Sequence, residues 1–404
     1  VSGLRAQRLA ARRAERRRAV RRAAMVAAAS IVAAVGTVTG TLAAFGDGRG
    51  SDQAAPGVAV SRSEGQKSFP AVRSASPSPT VTPSPSTSRS HALKRASSTP
   101  SPAATGARPG TGTRSAASAR LYRHPASQVL DWLGDHPDDP RQDVIRSRIA
   151  DRPAAVWFAD FDPATITARV RAVTAAGSVR GRVPVVVAYA VPGRDCGGAS
   201  EGGAPDLDAY DRWIDAFAAG LGSGEVVVVL EPDSIAQADC LAAGPRAARF
   251  ASLARAGRAM KAAAPKARVY YDAGHSAWNA PAKQAAWLRQ AGAASPAGSD
   301  GIFSNVSNFH RTADEIAYDR QVLDALGGPA SLGAVIDTSR NGNGAPADGQ
   351  WCDPAGRKIG RAPTLNTGEP RIDAYLWVKL PGESDGCKGT PGTFSPSYAY
   401  DLAR

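Results

Sequence analysis

From about residue 119 onward the sequence predicts an α/β fold built on a parallel sheet, and three observations predict it. Short runs of Val, Ile, Ala and Tyr recur, too uniformly apolar to leave one face in water, as expected of strands covered on both sides. Ala-rich amphipathic segments of helical period lie between those runs. The alternation continues through residues 119–404, which suits a parallel barrel or a doubly wound sheet.

In chain order, strands are predicted at 156–159 (VWFA), 183–190 (VPVVVAYA), 226–230 (VVVVL), 268–274 (RVYYDAG), 301–305 (GIFSN), 333–338 (GAVIDT) and 375–380 (YLWVKL). Seven strands is one fewer than a regular eightfold barrel requires. "DAYDRWIDAFAAGLG" precedes the third strand and "RAARFASLARAGRAMKAAAP" the fourth; both carry apolar residues at helical spacing. Trp132, Trp213 and Trp287 fall on such helical patterns and are assigned to the core. No GxGxxG follows a strand and opens a helix, which argues against a dinucleotide site. "RNGNG" (340–344) lacks the Lys-Ser/Thr of a phosphate loop.

A chain of 404 residues allows two or three domains, but the organisation shows one folded unit. The formal net charge of +13 is unevenly placed. Residues 1–118 carry 18 Lys and Arg against 4 Asp and Glu, whereas 119–404 carry 31 against 32. The folded part is therefore neutral, and no nucleic-acid partner is expected of it. Nine arginines within 1–22 precede an uncharged stretch, 23–45, long enough to span a bilayer with the arginines on the cytoplasmic side. Two readings stay open: a cleaved secretory signal, or an uncleaved signal-anchor that tethers the protein at the cell surface. Residues 46–118 are rich in Pro, Ser and Thr, cannot form a core, and read as an extended disordered linker. Either reading places 119–404 outside the cytoplasm, secreted or at the cell surface, which agrees with four cysteines and no CxxC pair.

Chemistry gathers at the C-terminal ends of the strands, where parallel α/β folds hold their sites. The second strand runs into Tyr189, Arg194 and Asp195, and the third directly into Glu231 and Asp233. The fourth leads to Asp272, His275 and Trp278, the fifth to Asn308, the sixth to the loop with Trp351, and the seventh to Lys379, Glu383 and Asp385. There is no G-x-S-x-G nucleophile elbow and no metal-ligand spacing, so neither a metal nor a cofactor is expected. Acids and aromatics without either suggest glycoside chemistry: two carboxyls move protons, and aromatic faces stack on sugar rings. Pairing Cys196 with Cys240 would tie together two acid-bearing loops, and Cys352 with Cys387 the loops after the last two strands, although four cysteines allow three connectivities. Each closed loop would stabilise the fold by about 4 kcal/mol in the chain-entropy model.

"VVVAYAVPGRDCGGASEGGA" (185–204) and "VVVVLEPDSIAQADC" (226–240) resemble the two signature segments of glycoside hydrolase family 6, the cellulase family. "YYDAGHSAW" (270–278) and "WVKLPGESDG" (377–386) are similar to its later active-site segments, and the resemblance covers 121–404. It implies a distorted barrel of seven parallel strands and cofactor-free hydrolysis of β-1,4-glucosidic bonds with inversion. By the same resemblance Asp233 in "EPDS" is the general acid, and Asp195 in "RDC" supports its raised pKa. Asp385 in "ESDG" is the base, with a water chain to Asp195 as the alternative. Tyr189 presses on the distorted sugar, and Trp157, Trp278 and Trp351 stack on sugars. His275, Asn308, Lys379 and Glu383 match hydrogen-bonding positions, and Asp272 a further cleft aspartate that also suits a structural role. Glu201 stands near where relatives carry a small hydroxyl residue that holds a water, a task Ser200 could take.

Only 17 residues follow Cys387, too few for a long covering loop, so an open cleft and internal cleavage of the glucan by a monomeric enzyme are expected. The alternatives are an exo-acting cellobiohydrolase type, a hydrolase of a related β-glucan, and a non-catalytic glucan-binding surface protein. The last has no need of Asp195, Asp233 and Asp385 together.

Overall fold

The computed structural model describes residues 120–404. The basic segment, the 23–45 stretch and the linker lie outside the described residues. Among the described residues no helix is long and apolar enough to cross a membrane.

Seven strands form one parallel sheet in sequence order: β1 (Val156–Phe158), β2 (Val185–Ala188), β3 (Val226–Leu230), β4 (Ala267–Asp272), β5 (Gly301–Ser304), β6 (Gly333–Asp337) and β7 (Ile372–Leu376). The sheet curls into a barrel whose seam lies between β7 and β1. No ladder closes that seam. The Ala155 N–H donates to the Trp377 carbonyl at 2.9 Å, and Trp157 Nε1 donates to the Val378 carbonyl at 2.7 Å. The result is a distorted barrel of seven parallel strands rather than a doubly wound sheet.

Strand alternation builds two cores at once. Val187, Val227, Val229, Tyr270, Phe303, Val335 and Leu376 point into the barrel and fill it. Val186, Val228, Leu230, Val269 and Ile302 point outward onto the helices. Those helices are α2 (Ile166–Val179), α3 (Leu207–Gly220), α4 (Ala243–Ala263), α5 (Pro281–Gln290) and α6 (Thr312–Leu326), one after each of β1 to β5. A third cluster covers the seam: Val129 and Leu133 of α1 (Gln128–Asp135), Trp377, Leu380, and Ala399 and Ala403 of α7 (Pro396–Ala403). Burying each valine or leucine stabilises by roughly 1.5–3 kcal/mol, so β3, buried at all five positions, is held from both faces. Trp213 is fully buried as expected, whereas Trp132 and Trp287 are half-buried against the core edges.

The third strand matches its predicted extent; the first, fourth, fifth and sixth end one or two residues short, and the second and seventh differ more. The second begins at Val185, because Pro184 has no N–H to give the ladder. The preceding Arg182–Val183 pairs instead with Arg120–Leu121 as a separate two-stranded piece. The seventh begins at Ile372 and leaves the ladder after Leu376; the carbonyls of Trp377 and Val378 turn to the seam.

Beyond the strand ends the backbone turns sharply. Non-glycine residues in the left-handed region include Asp195 (φ 56°), Glu231 (φ 52°), Asp233 (φ 68°), Asn305 (φ 64°) and Ser307 (φ 58°). Each such residue costs about 1–3 kcal/mol, and such strain concentrates where side chains must be aimed. Gly274 (φ 68°) has the same need met cheaply; a Cβ there would stand 2.7 Å from Ala236 and 3.2 Å from Trp278.

Candidate active site

One cleft of about 1340 Å³ opens at the C-terminal end of the barrel. Trp157, Tyr189, Asp195, Asp233, His275, Trp278, Asn308, Trp351, Lys379, Glu383 and Asp385 line it. Asp272 does not. It is 1 % exposed and lies beneath the cleft. Its Oδ2 accepts the N–H groups of Ile235 and Ala236 at 3.0 and 2.7 Å, and its Oδ1 that of Gly274 at 2.9 Å.

Asp272 therefore pins the turn that carries Asp233. A parallel arrangement holds the neighbouring loop. Glu231, fully buried, accepts the Ala190 N–H at 2.9 Å and the Val191 N–H at 3.0 Å, fixing the exit of β2 toward Asp195. Burial pushes the Glu231 carboxyl up to about 7 against those hydrogen bonds. The two acids that end the VVVVL strand thus have separate tasks: Glu231 fastens backbone, and Asp233 faces the cleft.

Asp233 is pushed up to about 8, first by removal from water, then by the charges of Asp272 and Asp195. A carboxyl so placed keeps its proton at neutral pH and can donate it. Asp195 is oriented for that influence. Its Oδ2 accepts the Ser200 N–H at 2.8 Å and the Ser200 hydroxyl at 2.9 Å, and the Ser200 hydroxyl also meets the Tyr189 hydroxyl at 3.0 Å. Ser200, not Glu201, joins this network. Arg194 holds the same loop by donating to the carbonyls of Ala159, Tyr189 and Ser200, with its guanidinium 4.5 Å from the Tyr189 ring centre. The Cys196–Cys240 disulfide joins the Asp195 loop to the segment after Asp233.

Across the cleft, Asp385 sits between two cations. Its Oδ2 lies 2.7 Å from Arg340 Nη1, and its Oδ1 3.5 Å from Lys379 Nζ. Arg340 is wholly buried, lies over the Phe309 ring at 4.4 Å, and also donates to the Ser307 carbonyl. The Cys352–Cys387 disulfide closes this side. Glu383, on the same loop, is pushed up to about 7 by burial.

Aromatic surfaces border the acids. The Trp157 ring meets Tyr189 edge-on at 5.3 Å. His275 stacks on His310 at 4.2 Å and lies 5.1 Å from Trp278. Burial, then the charge of His310, lowers His275 to about 3; its Nδ1 accepts the Ala277 N–H at 3.2 Å. The neutral ring therefore keeps Nε2–H as its donor. Trp351 is 58 % exposed, unusual for a tryptophan and suited to a sugar face. Asn308 donates to the Val306 carbonyl at 3.1 Å.

A family profile described as Glycosyl hydrolases family 6 matches residues 112–400. The chain belongs to glycoside hydrolase family 6. Among its relatives, Endoglucanase 1 of Streptomyces sp. (strain KSM-9) is 53% identical over 293 residues, covering 72% of this chain and 80% of that protein. Endoglucanase A of Thermobispora bispora is 47% identical over 293 residues, covering 72% of this chain and 63% of that protein. Among solved structures, the endoglucanase Cel6 from Mycobacterium tuberculosis, in complex with methyl-cellobiosyl-4-deoxy-4-thio-β-D-cellobioside, superposes with a TM-score of 0.66 at 38% identity, covering 71% of this chain and 97% of that one.

Sequence reasoning did not single out four residues that organise the site of this family 6 hydrolase. Arg340 is the buried partner of Asp385, and Asp353 accepts hydrogen bonds from the loop that carries Asp385. Asp337 accepts the N–H groups of Ser307 and Lys379 at 3.1 and 3.0 Å, joining the loops after β5 and β7. Gln128 of α1 donates to the Gly392 carbonyl at 2.7 Å and accepts the Phe394 N–H at 3.0 Å. The one signal for Arg340 and Asp337 was position: both stand at the C-terminal end of a buried strand, as Asp233 does.

Proposed function

We propose that this family 6 hydrolase is an endo-β-1,4-glucanase, exported from the cell, that cleaves internal bonds of cellulose or a related soluble β-glucan with inversion. Asp233 is the general acid, and the observation that carries this is a carboxyl at the cleft face that burial, then the charges of Asp272 and Asp195, push up to about 8. Asp233 gives its proton to the glycosidic oxygen as the bond to the anomeric carbon breaks. Asp385 takes a proton from the water that attacks the opposite face. Arg340 and Lys379 hold the Asp385 carboxylate in place for that role. Removal from water, then the charges of Asp272 and Asp195, raise the Asp233 pKa, so the acid starts each cycle protonated. Tyr189, Trp157, Trp278 and Trp351 offer ring faces to successive sugars, and His275, Asn308, Lys379 and Glu383 offer polar groups. Asp272 acts beneath the site, through the backbone that aims Asp233.

Endo action is supported by the loop after Asp385. Residues 386–395 fold into a hairpin: the Ser384 N–H donates to the Thr393 carbonyl at 2.9 Å and the Gly392 N–H to the Ser384 carbonyl at 2.8 Å. Gln128 fastens that short hairpin to α1, and both line the cleft. The relatives named endoglucanase agree with this reading. Export is supported by the two disulfides and by the Arg-led apolar stretch 23–45, as a cleaved signal or an anchor.

On carboxymethylcellulose, viscosity is expected to collapse while few reducing ends have formed. Viscosity that falls only in step with reducing ends would indicate attack from chain ends and remove the endo assignment.

A further inference from the structure

We propose that Asp353 is the positioning residue for Asp385, an inference that rests on the reading of Asp385 as the base. Asp353 does not line the cleft and is 4 % exposed, so substrate does not reach it. Its carboxylate nevertheless organises the whole turn around Asp385. Oδ1 accepts the Asp385 N–H at 2.7 Å. Oδ2 accepts the Ser384 hydroxyl at 2.6 Å, the Cys387 N–H at 3.0 Å and the Lys388 N–H at 2.8 Å. Asp385 reciprocates, its Oδ2 accepting the Asp353 N–H at 3.1 Å.

Residues on both sides of Asp385 therefore converge on one carboxylate. The sixth-strand loop is committed to this arrangement: Asp353 adopts a left-handed conformation (φ 45°), and its neighbour Cys352 is bonded to Cys387. Only an acceptor-only side chain serves here. An amide in its place would aim its NH₂ at three donors, or, if flipped, at the Asp385 N–H. Arg340 and Lys379 set the charge around Asp385, and Asp353 sets where its backbone stands. The Ser384 hydroxyl completes the template: its one proton goes to Asp353, and its oxygen accepts the Gly386 N–H at 2.9 Å.

A displaced base costs turnover and leaves ground-state sugar contacts in place; a misplacement of about 1 Å is worth on the order of 10²-fold. In the full chain, Asp353→Asn is expected to lower kcat by about 10- to 100-fold with KM changed less than about twofold, the pattern of an interaction made only in the transition state. Ser384→Ala, a milder change that keeps the Asp353 charge and its three backbone donors, is expected to lower kcat by about 3- to 10-fold, again with KM unchanged. In an Asp385→Asn background neither substitution lowers the residual rate further, because both act through Asp385. A purely structural role would give additive losses there, and that result overturns the proposal, as does a wild-type kcat in both variants. Should Asp353→Asn not fold, Ser384→Ala alone decides between these outcomes. If Asp385→Asn itself keeps wild-type kcat, the base assignment fails and this inference fails with it. If Asp385→Asn is inactive while the other two turn over normally, only the positioning role is lost.

Discussion

Asp233→Asn is expected to lower kcat on unactivated glucan by about 10²- to 10⁴-fold, the usual contribution of a positioned general acid. The substitution keeps the shape of the side chain and removes the transferable proton. The wild-type pH profile is expected to show the same dependence. Asp233 must be protonated to act, so kcat/KM should fall as pH rises through about 8. Stability should move the other way in the variant. The folded protein holds the Asp233 proton to about 8, whereas the unfolded chain releases it in the ordinary carboxyl range near 3.8. The stabilising effect of that proton is complete in acid and is lost as pH rises toward 8. Asn has no proton to lose. Asp233→Asn should therefore melt above the wild type at pH 8, with the margin shrinking toward pH 4; melting curves at the two values check this. An equal margin at both values would mean that Asp233 titrates normally.

The second large effect belongs to Arg340. Its guanidinium has no exposed surface and pairs with an Asp385 side chain that is only 9 % exposed. Removing one partner of a buried pair strands the other charge, at a cost of about 3–5 kcal/mol. Arg340→Met is expected to lose that much in denaturant unfolding, read as a lower midpoint at unchanged slope. It should also lose most of its activity, since Lys379, 3.5 Å from Asp385, is then the remaining cation beside it. Arg340→Lys keeps charge but not the fork that reaches Asp385 and the Ser307 carbonyl together, so it should fall between the two. A Met variant as stable as the wild type would show that the pair contributes nothing net.

The parallel sheet was legible because its strands are buried on both faces, whereas its closure into a barrel rather than a doubly wound sheet came from the family resemblance. VVVVL has no reading except a covered strand, and the acid that follows it must stand at the sheet end. The cleft residues were legible for the same reason, helped by motifs long enough to carry a family resemblance. What stayed hidden lies in the layer beneath. Asp353 sits in a loop without regular structure, and its partners are backbone N–H groups more than thirty residues away. Backbone donors leave no mark in the sequence. Arg340 reads as a solvated residue in a Gly-rich turn until Asp385 is folded against it. Asp272 shows the converse: its motif suggests the cleft, yet three backbone hydrogen bonds hold it below the surface. Likewise the ends of β2 and β7 depended on Pro184 and on a seam between strands far apart in sequence.

The most direct test of the central claim is the anomer released at first turnover. Proton NMR of cello-oligosaccharide hydrolysis by the wild type, recorded before mutarotation, should show the α-anomer appearing first, with Asp233→Asn releasing none on the same timescale. The β-anomer appearing first would contradict the account, because Asp233 and Asp385 could not then be acid and base across an attacking water.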